Sequence, residues 1–133
     1  MTTHAKGSFE VKVAPVAEDK VDGSTLGRYS LDKQYHGDLE AISKGEMLTA
    51  GTSVKGSAGY VAMERASGTL NGRKGTFVLQ HTATMNRGTP SMSVSVVPDS
   101  ATDQLAGLTG TMTIIIVDGK HSYEFEYSIA EAH

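Results

Sequence analysis

The chain of 133 residues contains no cysteine, which excludes disulfide bonds, thiolate chemistry and a zinc site built on cysteine. It also contains no tryptophan, and only 6% of its residues are aromatic. The formal net charge is −3. A nucleic-acid-binding protein needs a basic surface and often aromatic platforms for bases, so we expect no nucleic-acid partner.

Long apolar runs are absent as well. The longest strongly apolar run, Ile114 to Val117, is far too short to span a bilayer. The first residues, MTTHAKGSFEV, lack the basic and apolar regions of a signal peptide. These features predict a cytoplasmic protein with no membrane partner. At this length we expect one domain, residues 1–133, with frayed ends at residues 1–6 and 130–133.

Apolar and polar residues alternate through most of the chain, and 15 glycines against 3 prolines suit many turns between strands. The alternation is clear from Gly7 to Val13 and from Leu26 to Gly37. Residues 14 to 24 are polar and rich in turn formers, which predicts a loop. Beyond Gly37 the pattern predicts a further strand but leaves its inward face between residues 38 and 50 open.

The strongest local signal is a hairpin from Gly59 to Met85 that turns at Asn71-Gly72. Both turn residues tolerate the positive φ of a type I′ turn. A two-residue turn puts His81 opposite Ala62, and Glu64 becomes the diagonal neighbour of His81, about 7–8 Å away between backbones. We therefore predict a carboxylate and an imidazole on the same, mostly apolar, inward face.

Two further turns, at residues 86–89 and at Asp118-Gly119, preserve the same parity for the later strands. The pattern predicts an all-β fold: a single closed antiparallel barrel of about eight strands, lipocalin-like, with a mostly apolar interior. A sandwich is the rival, but consecutive hairpins favour the barrel. The predicted ligand-binding residues on the inward face are Tyr60, Phe77, Leu79, Met85, Val94, Ile114, His121, Tyr123, Phe125 and Tyr127.

Three stretches, Gly27 to Leu48, Gly56 to Met85 and Leu105 to Ile129, resemble an uncharacterised bacterial family of unknown function. That family is assigned to the superfamily of allene-oxide-cyclase-like and dirigent-like barrels, and Thr102 to Gly110 is similar to the glycine-punctuated start of a strand in those barrels. The resemblance implies an eight-stranded barrel with a hydrophobic cavity and self-association into a homo-oligomer. It implies no activity, and no run matches the catalytic motifs of the plant cyclases.

The favoured function is binding of a small, largely apolar molecule in the barrel cavity. The alternative is a cofactor-independent isomerase, cyclase or lyase in which Glu64 and His81 act as an acid/base pair. A second alternative is a structural or interaction protein whose barrel is filled by its own side chains.

The chemical environment of Glu64 distinguishes the binding, enzymatic and structural hypotheses. A carboxylate facing an apolar cavity is destabilised when ionised, so we expect a raised pKa unless Glu64 is paired. In the alternative, purely structural interpretation, Glu64 pairs with His81 or Arg28 inside a packed core. Glu64, His81 and His121 could together hold a metal, but no His-x-His or His-x-x-x-His spacing supports this, and we predict neither a metal nor a cofactor.

Overall fold

The computed structural model describes residues 2 to 130, in which eight strands follow one another around a closed antiparallel barrel. The predicted fold class is confirmed. In the described part of the chain no helix is long and apolar enough to cross a membrane. The strands are β1 (Thr3–Val21), β2 (Ser24–Gly37), β3 (Leu39–Thr52), β4 (Ala58–Leu70), β5 (Arg73–Asn86), β6 (Thr89–Val96), β7 (Leu108–Val117) and β8 (Lys120–Ile129), with a 3₁₀ turn at Asp103–Leu105.

The β4–β5 hairpin has the predicted register. Asn71 and Gly72 both adopt positive φ, 48° and 84°, as a type I′ turn requires. Ala62 lies opposite His81 across the ladder. Glu64 and His81 are therefore both buried on the inward face of the barrel.

The prediction of a loop over residues 14 to 24 is wrong. β1 and β2 continue as a paired hairpin to Val21 and Ser24, with one irregularity between Pro15 and Ala17. β1 pairs with β8 only as far as Phe9, so the rest of β1 pairs with β2 alone, whereas β2 stays paired with β3 as far as Ser24 opposite Thr52. Residues 12 to 21 of β1 are exposed on both faces, so main-chain hydrogen bonds to β2 hold them and no apolar alternation is needed.

The start of the chain is also better ordered than predicted. Residues 3 to 6 belong to β1 and pair with β8, beginning with Thr3 opposite Tyr127. Their backbone closes the barrel, so they are not frayed. At the other end Ala130 donates its N–H to the carbonyl of Gly107 at 3.2 Å, and residues 131–133 lie outside the described residues.

The bend at Gly37-Asp38 decides the inward face of β3, which the sequence pattern left open. Tyr35 of β2 lies opposite Ala41, so the odd-numbered residues of β3 share the inward face of Tyr35. Leu39, Ala41 and Ser43 are buried, whereas Ile42 and Leu48 are exposed.

The barrel interior differs between its two ends. The end nearest the β2–β3 and β4–β5 turns is filled by large side chains, and the rings of Phe77 and Phe125 stack at 5.9 Å with Tyr127 packed beside them. Other fully buried members of this core are Leu39, Leu70, Leu79, Leu105 and Leu108. Towards the opposite end the side chains become smaller or exposed, and the interior opens.

An inward glycine of β3 lets β3 and β4 approach closely at Glu64. A Cβ on Gly45 would lie 2.7 Å from Glu64 Cα and closer still to the carbonyl of Met63, whereas on Gly51 of the same face it would have nothing nearer than 4.0 Å. We predict that Gly45→Ala lowers the free energy of unfolding by about 1–3 kcal/mol through overpacking. Gly51→Ala is the matched control and should change it little. Equal urea midpoints for the two variants would contradict this account.

Candidate functional site

The open end of the barrel contains a cavity of about 610 Å³ between β2 and β6. Its wall is mostly apolar, with tyrosines and methionines as the largest side chains. These lining residues include Tyr29, Met47, Tyr60, Ala83, Met85 and Met92. The wall is hydrogen-bonded through β2 to β6, but within residues 2–130 β6 and β7 share a single ladder pair, Ser95 opposite Thr111.

Only part of the predicted ligand-binding set reaches this cavity. Tyr60 and Met85 line it. The others lie outside this cavity, because parity separates inward from outward side chains but does not fix their height along the barrel axis. The remaining inward residues are buried in or around the solid core or lie half-buried along β7 and β8: Phe77, Leu79, Val94, Ile114, His121, Tyr123, Phe125 and Tyr127.

Two of those residues, Tyr123 and His121, make contacts that stabilise the fold. The Tyr123 hydroxyl accepts the N–H of Leu39 at 2.9 Å and donates to the carbonyl of His36 at 2.9 Å, which fixes the β2–β3 bend. The ring of His121 packs on Phe9 with centroids 5.2 Å apart. In the described part of the chain no group of three or more His, Asp or Glu side chains could hold a metal ion.

A buried polar cluster lies between the solid core and the cavity, centred on the carboxylate of Glu64. Its Oε2 accepts hydrogen bonds from Lys33 Nζ at 2.7 Å and from His81 Nε2 at 2.6 Å. Its Oε1 accepts from Ser43 Oγ at 2.8 Å and from the Tyr35 hydroxyl. The Glu64 side chain is 0% exposed. The predicted proximity of Glu64 and His81 is therefore found, but with three additional partners.

The sequence contained a signal for the most important missed partner. Lys33 stands between Leu31 and Tyr35 on the apolar face of its strand, where a lysine is out of place unless its charge is paired. The partner considered instead, Arg28, lies on the outer face and binds Glu46 at 2.7 Å, with both side chains more than half exposed.

The partners of Glu64 reverse the effect of its burial. Desolvation is the largest influence and raises its pKa, but the hydrogen bonds and charges of His81 and Lys33 together outweigh it and lower the pKa to about 2. The raised pKa expected for an unpaired carboxylate is thus not found. Burial and the Glu64 charge raise the pKa of Tyr35 well above its usual value, so Tyr35 keeps its proton and donates.

The ionised Glu64 fixes the tautomer of His81. A carboxylate only accepts, so Nε2 of His81 must carry the hydrogen, and in the neutral ring Nδ1 is then an acceptor. Within residues 2–130 Nδ1 has no hydrogen-bond partner, yet every fully occluded side-chain nitrogen and oxygen has one. Nδ1 therefore retains contact with open space. His81 is the next inward residue of β5 before Ala83, which lines the cavity.

Known proteins match this chain along almost its whole length. The model of a family described as a protein of unknown function, DUF3224, matches residues 5–127. The chain belongs to the DUF3224 family. A crystal structure of a DUF3224 protein of unknown function from Shewanella oneidensis MR-1 is 47% identical, with a TM-score of 0.94, and the match covers 98% of this chain and 100% of that one.

No curated protein matches the chain. Membership of the DUF3224 family confirms the predicted relationship to an uncharacterised family but assigns no ligand or reaction. The likeness to allene oxide cyclases stays a prediction from the sequence.

Replacing Glu64 tests the charge balance of the cluster. Glu64→Gln leaves the Lys33 ammonium buried without its counter-charge, and we predict a loss of about 3–5 kcal/mol at pH 7. The lowered pKa contributes stability above the unfolded-state value of 4.5, and this is lost as pH falls from there to about 2. That contribution is about 3 kcal/mol. Glu64→Gln should therefore flatten the pH dependence of urea unfolding over this range.

The control for this experiment is Glu46→Gln. Glu46 also pairs with a cation at 2.7 Å, but on the exposed outer face, so its replacement should cost less than about 1 kcal/mol. If the two variants lose equal stability and keep equal acid dependence, the buried cluster does not have the charge state described here.

Proposed function

We propose that the protein binds a small, largely apolar molecule in the open end of the barrel. The observation that carries the proposal is the cavity of about 610 Å³ with its apolar wall. This volume lies within the ~300–1,000 Å³ of typical small-molecule sites, which are mostly apolar with a few convergent polar groups. Tyr29, Thr49 and Tyr60 in the wall supply such groups.

Exposed apolar side chains around the open end also support the proposal. Met85, Met92 and Ile116 have inward parity, yet 41%, 47% and 59% of their surface is exposed. Leaving such groups in water forgoes about 25 cal/mol for each Å² that could be buried. A bound apolar molecule recovers part of this free energy.

Catalysis is the second candidate, and the Glu64–His81 pair favours it. In this version His81 is the base and Glu64 orients it, as a carboxylate orients histidine in other acid/base sites. The substrate would then lose a proton to Nδ1 without any cofactor, in an isomerase- or cyclase-type reaction. Glu64 itself is a poor proton carrier because its pKa is about 2 and both oxygens are occupied. We therefore favour binding over catalysis.

We keep the cytoplasm and a homo-oligomeric state as parts of the proposal. The absence of cysteine suits a reducing compartment. Self-association is supported by an apolar outer patch on β3 and β4, where Leu48, Val61 and Met63 are each about half exposed.

The test uses the neutral fluorescent probe N-phenyl-1-naphthylamine, which brightens in apolar surroundings. We predict saturable binding to the wild type and a loss of affinity of about tenfold or more in Ala83→Phe, whose ring occupies the cavity. The control is Thr82→Phe, which puts the same ring on the outer face of the same strand. Circular dichroism melting checks that both variants fold.

Unchanged probe affinity in Ala83→Phe would show that the probe binds elsewhere. Absence of binding to the folded wild type would reject the proposed cavity. Native mass spectrometry of protein purified from its own host then identifies any retained molecule.

A further inference from the structure

We propose that the molecule bound in the cavity has an acidic head group, a carboxylic acid on an apolar body, and that this group binds as a carboxylate between His81 and Tyr60. The inference rests on the proposed binding function and names the chemical class of ligand. It follows from what the residues beneath the cavity can donate, accept and neutralise.

The first step is the hydrogen-bonding state of His81. Its Nε2–H is committed to Glu64 at 2.6 Å, and its side chain is only 3% exposed. The remaining nitrogen, Nδ1, is an acceptor without a partner in the described residues. A ligand group that reaches it must donate a hydrogen, because a second acceptor would leave a buried polar atom unsatisfied.

The second step is the balance of charge. The buried Lys33 ammonium and Glu64 carboxylate, 2.7 Å apart, sum to zero while His81 is neutral. When a carboxylic acid binds, its O–H bond breaks and a bond forms between that proton and Nδ1. The resulting imidazolium then lies between two carboxylates, and the four charges again sum to zero. A ligand anion arriving without a proton, or a ligand cation, would leave a buried net charge.

The third step is a second donor for the head group. Tyr60 lines the cavity, and its hydroxyl has no hydrogen-bond partner within residues 2–130. Tyr60 lies opposite Ala83 while Ala62 lies opposite His81, so Tyr60 and His81 are diagonal neighbours on the inward face. Burial and the Glu64 charge raise the pKa of Tyr60, which keeps its hydroxyl protonated. One carboxylate oxygen can therefore meet Nδ1 and the other the Tyr60 hydroxyl.

No other titratable group competes for this proton on the strands around His81. The inward residues that β3 and β6 present near it do not titrate: Ser43, Met47 and Val94. The titratable residues facing the cluster or the cavity from β2 and β4 are Tyr29, Lys33, Tyr35, Tyr60 and Glu64. Of these, Glu64, Lys33 and Tyr35 bond to one another, so His81 is the group that takes the proton.

The experiment compares decanoate with 1-decanol by isothermal titration calorimetry at pH 8, in phosphate and in Tris. The two buffers differ in ionisation enthalpy, so the difference in heat counts protons taken up on binding. We expect about one proton per decanoate and none per decanol, since linkage requires uptake wherever the complex holds more protons than its parts. This measurement needs no variant and is independent of folding effects.

Variants assign the proton to His81. Glutamine places an amide donor near the Nε2 position but has nothing at Nδ1, so His81→Gln should weaken decanoate binding about tenfold or more, abolish proton uptake and spare decanol. Tyr60→Phe should weaken decanoate binding about tenfold while proton uptake persists. The control, His121→Gln, removes a histidine outside the cavity wall and should change neither ligand.

The outcomes separate this inference from the proposed function. If neither ligand binds the folded wild type, the proposed function fails. If both bind with similar affinity and no proton is taken up, the cavity binds apolar molecules and the inference about the head group is overturned. Proton uptake that survives in His81→Gln would overturn the role of His81, and melting curves exclude misfolding as its cause.

Discussion

The interior of this barrel depends on one buried carboxylate and the four groups that donate to it. Glu64 on β4 is held by Lys33 and Tyr35 from β2, Ser43 from β3 and His81 from β5, which ties four consecutive strands together. An ion buried so completely is tolerated only if every lone pair and charge finds a partner. A slip of one residue in any of these strands would turn a partner outward, so the cluster specifies register as well as charge.

The same cluster divides the interior into two parts with different tasks. On one side aromatic and leucine side chains fill the barrel and supply the apolar burial that stabilises it. On the other side the interior is not filled by side chains, and methionines at the open end are partly exposed to water. The solid part allows the open part to keep a cavity, because stability need not come from both ends.

The sequence predicted those features that depend on local chain geometry. Asn71-Gly72 defines its own turn, so the shared inward face of Glu64 and His81 followed from parity. The height of a side chain along the barrel axis could not be predicted, because it depends on the stagger of all eight strands. Phe125 and Tyr127, predicted to bind a ligand, are therefore part of the core. Lys33 reaches Glu64 across β3, a pairing between strands that are not neighbours in the sheet, and no local pattern encodes it. The outer β1–β2 hairpin was missed because alternation reports burial rather than pairing.

The chemistry of the cluster agrees better with the proposed binding of an acid than with the alternative proposal of catalysis. Catalysis of proton transfer needs a group that both takes a proton and returns it at another position. Both oxygens of Glu64 already accept two hydrogen bonds each, and Tyr35 is bound to Glu64 with its pKa raised, so neither is available as a second carrier. Tyr60 also retains its proton beside the same negative charge. A proton that reaches His81 therefore has no second carrier within the cluster. An imidazolium held between Glu64 and the carboxylate of the proposed ligand would be a stable ground state, which is what the proposed binding site requires.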